Sequence, residues 1–388
     1  MKKINIFVYK NFPDPKVGAS NLVFFEFISY LEARYNTIKI YIVNPKSNIK
    51  GKISQKYIIS EAMSKEIFEI NDTETRKTPN SDIAIFLDLK SGLIANQVIA
   101  KKKFIWLGDL EFLTILEHYK VGCSLNLIKI LDFPRVILRI LISVLQYLKI
   151  LGHMDNVIIS SFNSEKYLKL LGFNSIFLPY PLKFDKELVT PSIKSEELKT
   201  KNINFLFFGN HEGLGTKSTI KEFKHVVIPA MEKVYGQNRF DIIIAGDLNQ
   251  TSLIFKELKT LSSITFEGYV ENINKLINDV DYCIFPIKSK IGNRSRIIHA
   301  MSQGKVVVTH QNAAFTNPFL QNRENCITYG TKNDLIEILK LLRDHPQNIK
   351  YIAKNARESY KETYESERAM GKIHAVILGE EGVNSFES

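Results

Sequence analysis

Cysteine is scarce in this sequence. The three residues, Cys123, Cys283 and Cys326, lie far apart and form no CxxC spacing. They offer neither a disulfide framework nor a zinc site, and read as reduced thiols packed in a cytosolic protein. Long hydrophobic runs are missing too. No stretch of about 20 uninterrupted apolar residues occurs, so no membrane-spanning helix is expected. The opening MKKINIFVYKNF has two lysines but an apolar segment too short for the core of a secretory signal. Acidic residues are outnumbered, 41 Asp plus Glu against 52 Lys plus Arg, for a formal net charge of +11. That surplus favours an anionic partner: nucleotide phosphate, nucleic acid or an acidic membrane face. No basic repeat with interleaved aromatics, zinc spacing or helix-turn-helix pattern accompanies it, which argues against nucleic acid. With 45% hydrophobic and 24% charged residues the chain is neither disordered nor collagen-like.

At about 150 residues per domain, 388 residues suggest two domains. Residues 4–9 form a short β-rich run, followed by a turn-rich loop, a helical pattern over 21–34 and a second strand at 38–43. Strand, loop, helix, strand opens a parallel α/β unit. Apolar strands continue at 82–89, 103–109, 156–161 and 175–181. Residues 182–202 are charged, carry one proline and read as a linker. The pattern then restarts, with apolar strands at 203–209, 241–246, 264–268, 282–286 and 305–309 separated by helical stretches. Near-continuous apolar strands mean sheets covered on both faces. The expected architecture is α/β, with two Rossmann-like domains facing each other across a cleft: 1–181, then a 182–202 linker, then 203–365. A C-terminal helix and tail at 366–388 would cross back to the first domain, the last residues being frayed.

In open α/β sheets ligands bind beyond the carboxyl ends of the strands. Two loops of the second half draw attention there. The first runs Gly209-Asn210-His211-Glu212-Gly213-Leu214-Gly215-Thr216-Lys217. Its glycines let a ligand approach the backbone, and Lys217 supplies charge. The spacing matches neither GxGxxG nor a P-loop, and a plain glycine-rich turn with a solvated lysine is the alternative. The second loop brackets a Gly292-Asn293 turn with Lys288, Lys290, Arg294 and Arg296 at a helix start. Helix N-termini and arginine forks both suit phosphate. Arg296 and His299 share a helix face. A solvated basic helix start explains the same residues without a ligand.

The order of these motifs resembles the donor-site signature of GT-B glycosyltransferases, in particular a divergent branch of glycosyltransferase family 4. The segment GNRSRIIHAMSQGKVVVT stands where that family has Lys, two aliphatics, Glu-Ala-Met and a glycine before the next strand. FLFFGN followed by Lys217, and ITFEGYVENINKLINDVDYCIFP, resemble the opening and the middle of its donor domain. NVIISSFNSEKYLKLLGFNSIFLPYPL resembles the end of its acceptor domain. The resemblance spans about residues 1–365. Two glutamates that the family places around the donor are absent, their positions being held by Ile291 and His299, and a proline of the following strand is Val306.

The resemblance implies transfer of a sugar from a nucleotide-sugar to a saccharide or lipid-linked acceptor in bacterial surface glycan synthesis. Gly213, Gly215, Thr216, Lys217, Gly292, Asn293, Arg294, Ser295, Arg296 and His299 would bind the donor, with Lys217, Arg294 and Arg296 neutralising the leaving diphosphate. Gly18, Ala19 and Ser20 would line the acceptor side. Asp109 would act as base or contact the sugar; as a preferred N-cap residue it equally suits the start of a helix over 110–119. No cofactor or metal is expected, since no His/Cys cluster or Asp-x-Asp falls on these loops. The missing glutamates also admit a non-catalytic GT-B scaffold that binds a partner transferase or glycan. Within the enzyme reading they admit a CMP-activated acidic sugar. Residues 134–151 carry Arg135, Arg139, Ser143, Gln146 and Lys149 as a polar stripe on an otherwise apolar helix. It is either buried or laid on an anionic membrane, which would put the protein in the cytoplasm at the inner membrane face.

Overall fold

The computed structural model describes residues 2–14, 18–44, 67–71, 80–184, 202–210, 213–237, 239–246 and 258–380. They group into two units. Met1–Phe112, Leu138–Leu182 and Ser366–Ser388 make the first, and Leu113–Ile137 with Lys183–Glu365 the second. The stretch 113–137, placed in the first domain on sequence, groups with the second unit. Most of the 182–202 linker and the last eight residues lie outside the described residues.

The first unit is built on seven parallel strands: β1 (Ile4–Tyr9), β2 (Ile38–Asn44), β3 (Ile67–Asn71), β4 (Ser81–Phe86), β5 (Ala100–Leu107), β6 (Asn156–Ile159) and β7 (Ser175–Phe177). Their order is β3-β2-β1-β4-β5-β6-β7. At the centre Ile4 stands in register with Ile38 on one side and Ile83 on the other. Five of the six β1 residues are buried, the pattern of a strand covered on both faces. The single tryptophan, Trp106 on β5, anchors one face against Phe24, Phe27 and Tyr180, and its indole N–H donates to Ser160 Oγ at 2.9 Å. Gly92 leaves room for Ile150 of the helix Phe133–Leu151: a Cβ on Gly92 would lie 2.6 Å from Ile150 Cγ2. The C-terminal helix Ser366–Leu378 packs on the helix Gly18–Glu32, where Tyr35 and His374 share a 2.7 Å hydrogen bond.

The second unit has six parallel strands: β8 (Ile203–Phe208), β9 (Phe240–Ala245), β10 (Ile264–Gly268), β11 (Tyr282–Phe285), β12 (Val307–His310) and β13 (Ile327–Tyr329). Their order is β10-β9-β8-β11-β12-β13. All four residues of β11 are buried. Buried tyrosine hydroxyls reach backbone carbonyls of the helix Lys332–Asp344, Tyr235 to Leu339 O and Tyr282 to Leu342 O, so neither ring buries an unmet donor. That helix starts at a capping box between Thr331 and Asp334.

Two strands, β3 and β13, were not expected from the sequence. β13 has only three residues, too few for a hydrophobic period to register. β3 is a five-residue edge strand that includes Glu69 and Asn71, which dilute the apolar signal.

Candidate functional site

In both sheets the strand order reverses next to the first strand of the unit, between β1 and β4 and between β8 and β11. Such a switch point opens a crevice beyond the carboxyl ends of the strands. In the second unit, the two loops singled out on sequence leave from β8 and β11, the strands that flank the reversal. The topology therefore brings them together.

Gly209 follows β8 with φ +127°, a conformation that glycine tolerates and other residues resist. Its Cα faces the side chain of Arg296, and a Cβ there would lie 2.3 Å from Arg296 Cδ. Arg296 Nη1 donates to Phe208 O at 3.3 Å and to Thr216 Oγ1 at 2.8 Å. Thr216, fully buried, donates its hydroxyl to Asn210 O at 2.7 Å. Arg296 Nη2 lies toward the glycines, 3.2 Å from the place of a Cβ on Gly215 and 3.9 Å from one on Gly213. Burial pushes the guanidinium down to about 10, so it is a cation at neutral pH. Among the described residues no carboxylate pairs with it. A half-buried positive charge with no negative partner among the described residues favours an anion beside it. Lys217 ends the short helix Leu214–Lys217 and is half-buried. His211 and Glu212 lie outside the described residues.

Arg294 behaves differently from its expected role. It is 6% exposed and occupies the cap of the helix Ser295–Ser302 with φ 57°, in the left-handed region. Its guanidinium turns back into its own loop, donating to Ile291 O at 2.9 Å, Ser289 O at 2.5 Å and Asn312 O at 3.4 Å. These three bonds go to carbonyl oxygens, so Arg294 ties its own loop. Gly292, at φ +110°, makes the turn, and its Cβ position is 3.5 Å from Arg294 Nη1. Asn293 is half-buried, and its Oδ1 has no hydrogen-bond partner among the described residues. Ser295 opens the helix, whose first N–H groups have no intrahelical acceptor.

His299 shares the face of Arg296, as the spacing predicts, and both touch Phe208. Its ring, however, is already occupied. Nε2 bonds Asn274 Oδ1 at 2.6 Å, and Phe184 stacks on it at 4.0 Å with planes 4° apart. The expected ribose contact would have to replace these partners. Lys288 is drawn into an ion pair with buried Glu222 at 3.2 Å, and Lys290 lies 5.2 Å over the Phe315 ring. Of the four cations bracketing the Gly-Asn turn, Arg296 is the one held beneath the neighbouring loop.

In the first unit, Gly18, Ala19 and Ser20 open the helix Gly18–Glu32 beside β1. Ser20 hydrogen-bonds the buried hydroxyl of Tyr180, which burial and the nearby charge of Asp109 hold above the usual phenol range. Tyr180, which sequence reasoning missed, thus joins the two candidates. Asp109 is not the residue that flanks the helix it precedes. The helix starts at Glu111, Leu110 N–H donates to Ser164 Oγ at 3.4 Å, and Glu111 N–H to Tyr147 Oη at 3.0 Å. A second carboxylate, Asp88, lies just beyond β4 at the switch point. It accepts from Ser91 N–H at 2.5 Å, and burial raises its pKa. Its signal in the sequence was its place at the end of a strand.

Residues 202–344, which run from the start of β8 through the helix Lys332–Asp344, match the family described as Glycosyl transferases group 1. This part of the second unit is thus similar to the domains of that group, and the fold of the whole chain is that of the GT-B glycosyltransferases. Three solved structures illustrate the likeness. Anabaena HepE, in a complex with UDP and glucose, is 14% identical with a TM-score of 0.63, over 98% of this chain and 100% of that one. Sucrose-phosphate synthase from Thermosynechococcus elongatus is 14% identical with a TM-score of 0.66, over 98% and 99%. The lipopolysaccharide outer core galactosyltransferase WaaB, in its apo form, is 13% identical with a TM-score of 0.65, over 97% and 99%. No curated protein matches the sequence significantly. Among the described residues no helix is long and apolar enough to cross a membrane.

Proposed function

We propose that this glycosyltransferase moves a sugar from a nucleoside-diphosphate sugar to a saccharide or lipid-linked acceptor in bacterial surface glycan synthesis. The observation that carries the donor reading is the half-buried cation Arg296, held by Thr216 beneath the Gly209–Thr216 loop at a strand-order reversal. A diphosphate bridging that loop and the start of the helix Ser295–Ser302 would supply the missing negative charge. The structures it resembles include HepE with UDP-glucose and WaaB, described as acting on the lipopolysaccharide outer core, which supports a surface saccharide as acceptor.

In the reaction the bond from the sugar anomeric carbon to the β-phosphate oxygen breaks, and a bond to an acceptor oxygen forms. Charge accumulates on the departing diphosphate. Arg296, Lys217 and the helix N–H groups stabilise it without a metal ion. Asp109, whose charge acts on Tyr180 in the first unit, would take the acceptor proton.

The test is a thermal-shift panel of UDP, GDP, dTDP and CMP on the full chain, run with and without chelator. A nucleoside diphosphate should raise the melting temperature in both conditions. Stabilisation by CMP alone would redirect the donor to a CMP-activated acidic sugar. Absence of any shift would leave a non-catalytic scaffold as the better account, and a shift that vanishes with chelator would refute the metal-free scheme.

A further inference from the structure

The helix Phe133–Leu151 settles its own ambiguity. It is seated by a narrow stripe in which Val136, Ser143, Tyr147, Ile150 and Leu151 are buried. At 3.6 residues per turn, Ile137, Leu138, Leu141, Leu145 and Leu148 fall on the opposite side. They are exposed, Leu145 by 64% and Leu141 by 55%. The stripe thought polar on sequence divides: Ser143 turns inward, while Arg135, Arg139 and Lys149 line one edge of the exposed apolar face. The helix contains no acidic residue. Ile130 and Leu131, just before it, are exposed by 78% and 87%. Ten of the eighteen large hydrophobic side chains exposed among the described residues lie between positions 127 and 148. Leaving so much contiguous apolar surface in water is unfavourable, and such patches mark interaction surfaces.

We propose that this face lies in the surface of an anionic lipid bilayer, parallel to its plane. The leucines would enter the boundary between headgroups and acyl chains. Arg135, Arg139 and Lys149 would reach outward to lipid phosphates along their flexible stems. Charge decides the occupant. A second copy of the helix would bring the same cations against one another with Asp132, already paired with Arg135 at 3.4 Å, as the adjoining carboxylate, whereas an anionic leaflet also answers Arg139 and Lys149. The inference rests on this helix alone and stands whether or not the donor reading holds.

The test is co-sedimentation of the full chain with vesicles of phosphatidylcholine alone and of phosphatidylcholine mixed with phosphatidylglycerol. Binding to the mixed vesicles should weaken roughly tenfold or more at high salt or in the Arg139→Glu/Lys149→Glu variant. Leu141→Glu/Leu145→Glu should abolish it with an unchanged melting temperature, because both side chains are already in water. No binding to the mixed vesicles, or equal binding by the leucine variant, would overturn the proposal. So would a dimer by light scattering that the leucine variant dissociates, since the face would then belong to a second copy.

Discussion

The imidazole of His299 and the ring of Phe184 lie face to face, with centroids 4.0 Å apart. Phe208 meets the same imidazole edge-on at 5.6 Å, and Asn274 Oδ1 accepts from its Nε2. Among the described residues an imidazolium has no counter-ion there, and burial pushes the His299 pKa from 6.5 down to about 4. Below pH 6.5 the unfolded chain takes up a proton at this ring while the folded chain does not. Stability is therefore full above that pH and is lost as the pH falls toward 4. The loss is on the order of 3 kcal/mol for this ring. His310, also pushed down to about 4, acts in the same direction. Thermal melts from neutral pH to about pH 4.5 should show the decline, and His299→Gln, which can still donate to Asn274, should flatten part of it. Identical slopes for the two proteins would show that His299 titrates freely.

Arg294 and Arg296 make opposite predictions. If the proposed donor site holds, Arg296→Ala removes the cation assigned to the leaving group, and should lower turnover roughly a hundredfold, about 3 kcal/mol in the barrier, while the protein stays folded. Arg294→Ala instead strands the carbonyls of Ser289, Ile291 and Asn312, and should cost about 1–3 kcal/mol of stability. Steady-state kinetics and melting temperature on both variants separate the two roles. Near-normal turnover in Arg296→Ala would remove the phosphate site from the second unit.

What could be read from the sequence follows from what each signal depends on. The buried parallel strands were legible because residues such as those of β8 and β11 are apolar on both faces, and that requires only composition. The glycine-rich loop was legible because φ +127° at Gly209 restricts the residue type. The division of labour between two arginines was not. Helical spacing presumes that both belong to the helix, but Arg294 has φ 57° and lies outside it, so its side chain leaves in an unrelated direction. His299 escaped for another reason. Its partners Phe184 and Asn274 are 115 and 25 positions away in the chain, and only the fold brings them together. The helix Phe133–Leu151 lay between these extremes, since its pattern showed one polar stripe on an apolar helix without showing which part of the apolar surface is covered.

Gly209→Ala tests the same site from the backbone. The added methyl would meet the Arg296 stem at 2.3 Å, and alanine resists φ +127°. Arg296 should be displaced from Thr216, with a fall in turnover approaching that of Arg296→Ala and little further loss in the double variant. Gly213→Ala is the control, since its nearest neighbours would be Asn210 O at 3.4 Å and Arg296 Nη2 at 3.9 Å, ordinary contacts. Equal and mild effects of the two substitutions would mean that Arg296 can act from more than one position.

Lys288 gives the last prediction. Its Nζ, in the loop after β11, lies 3.2 Å from Glu222 of the helix Ile220–Glu222, a residue 4% exposed, so the pair neutralises a charge buried on that helix. Lys288→Ala should leave that carboxylate without this partner and lower stability by about 1–3 kcal/mol, less than for a fully buried pair because the lysine is half-exposed. Lys288→Ala combined with Glu222→Gln should regain much of the loss, since the amide needs no counter-charge. Turnover should fall far less than in Arg296→Ala, because a lysine held by Glu222 is not free to follow a diphosphate. A Lys288→Ala enzyme with an unchanged melting temperature and a hundredfold loss of turnover would reverse the assignment, making Lys288 a donor ligand and its ion pair incidental.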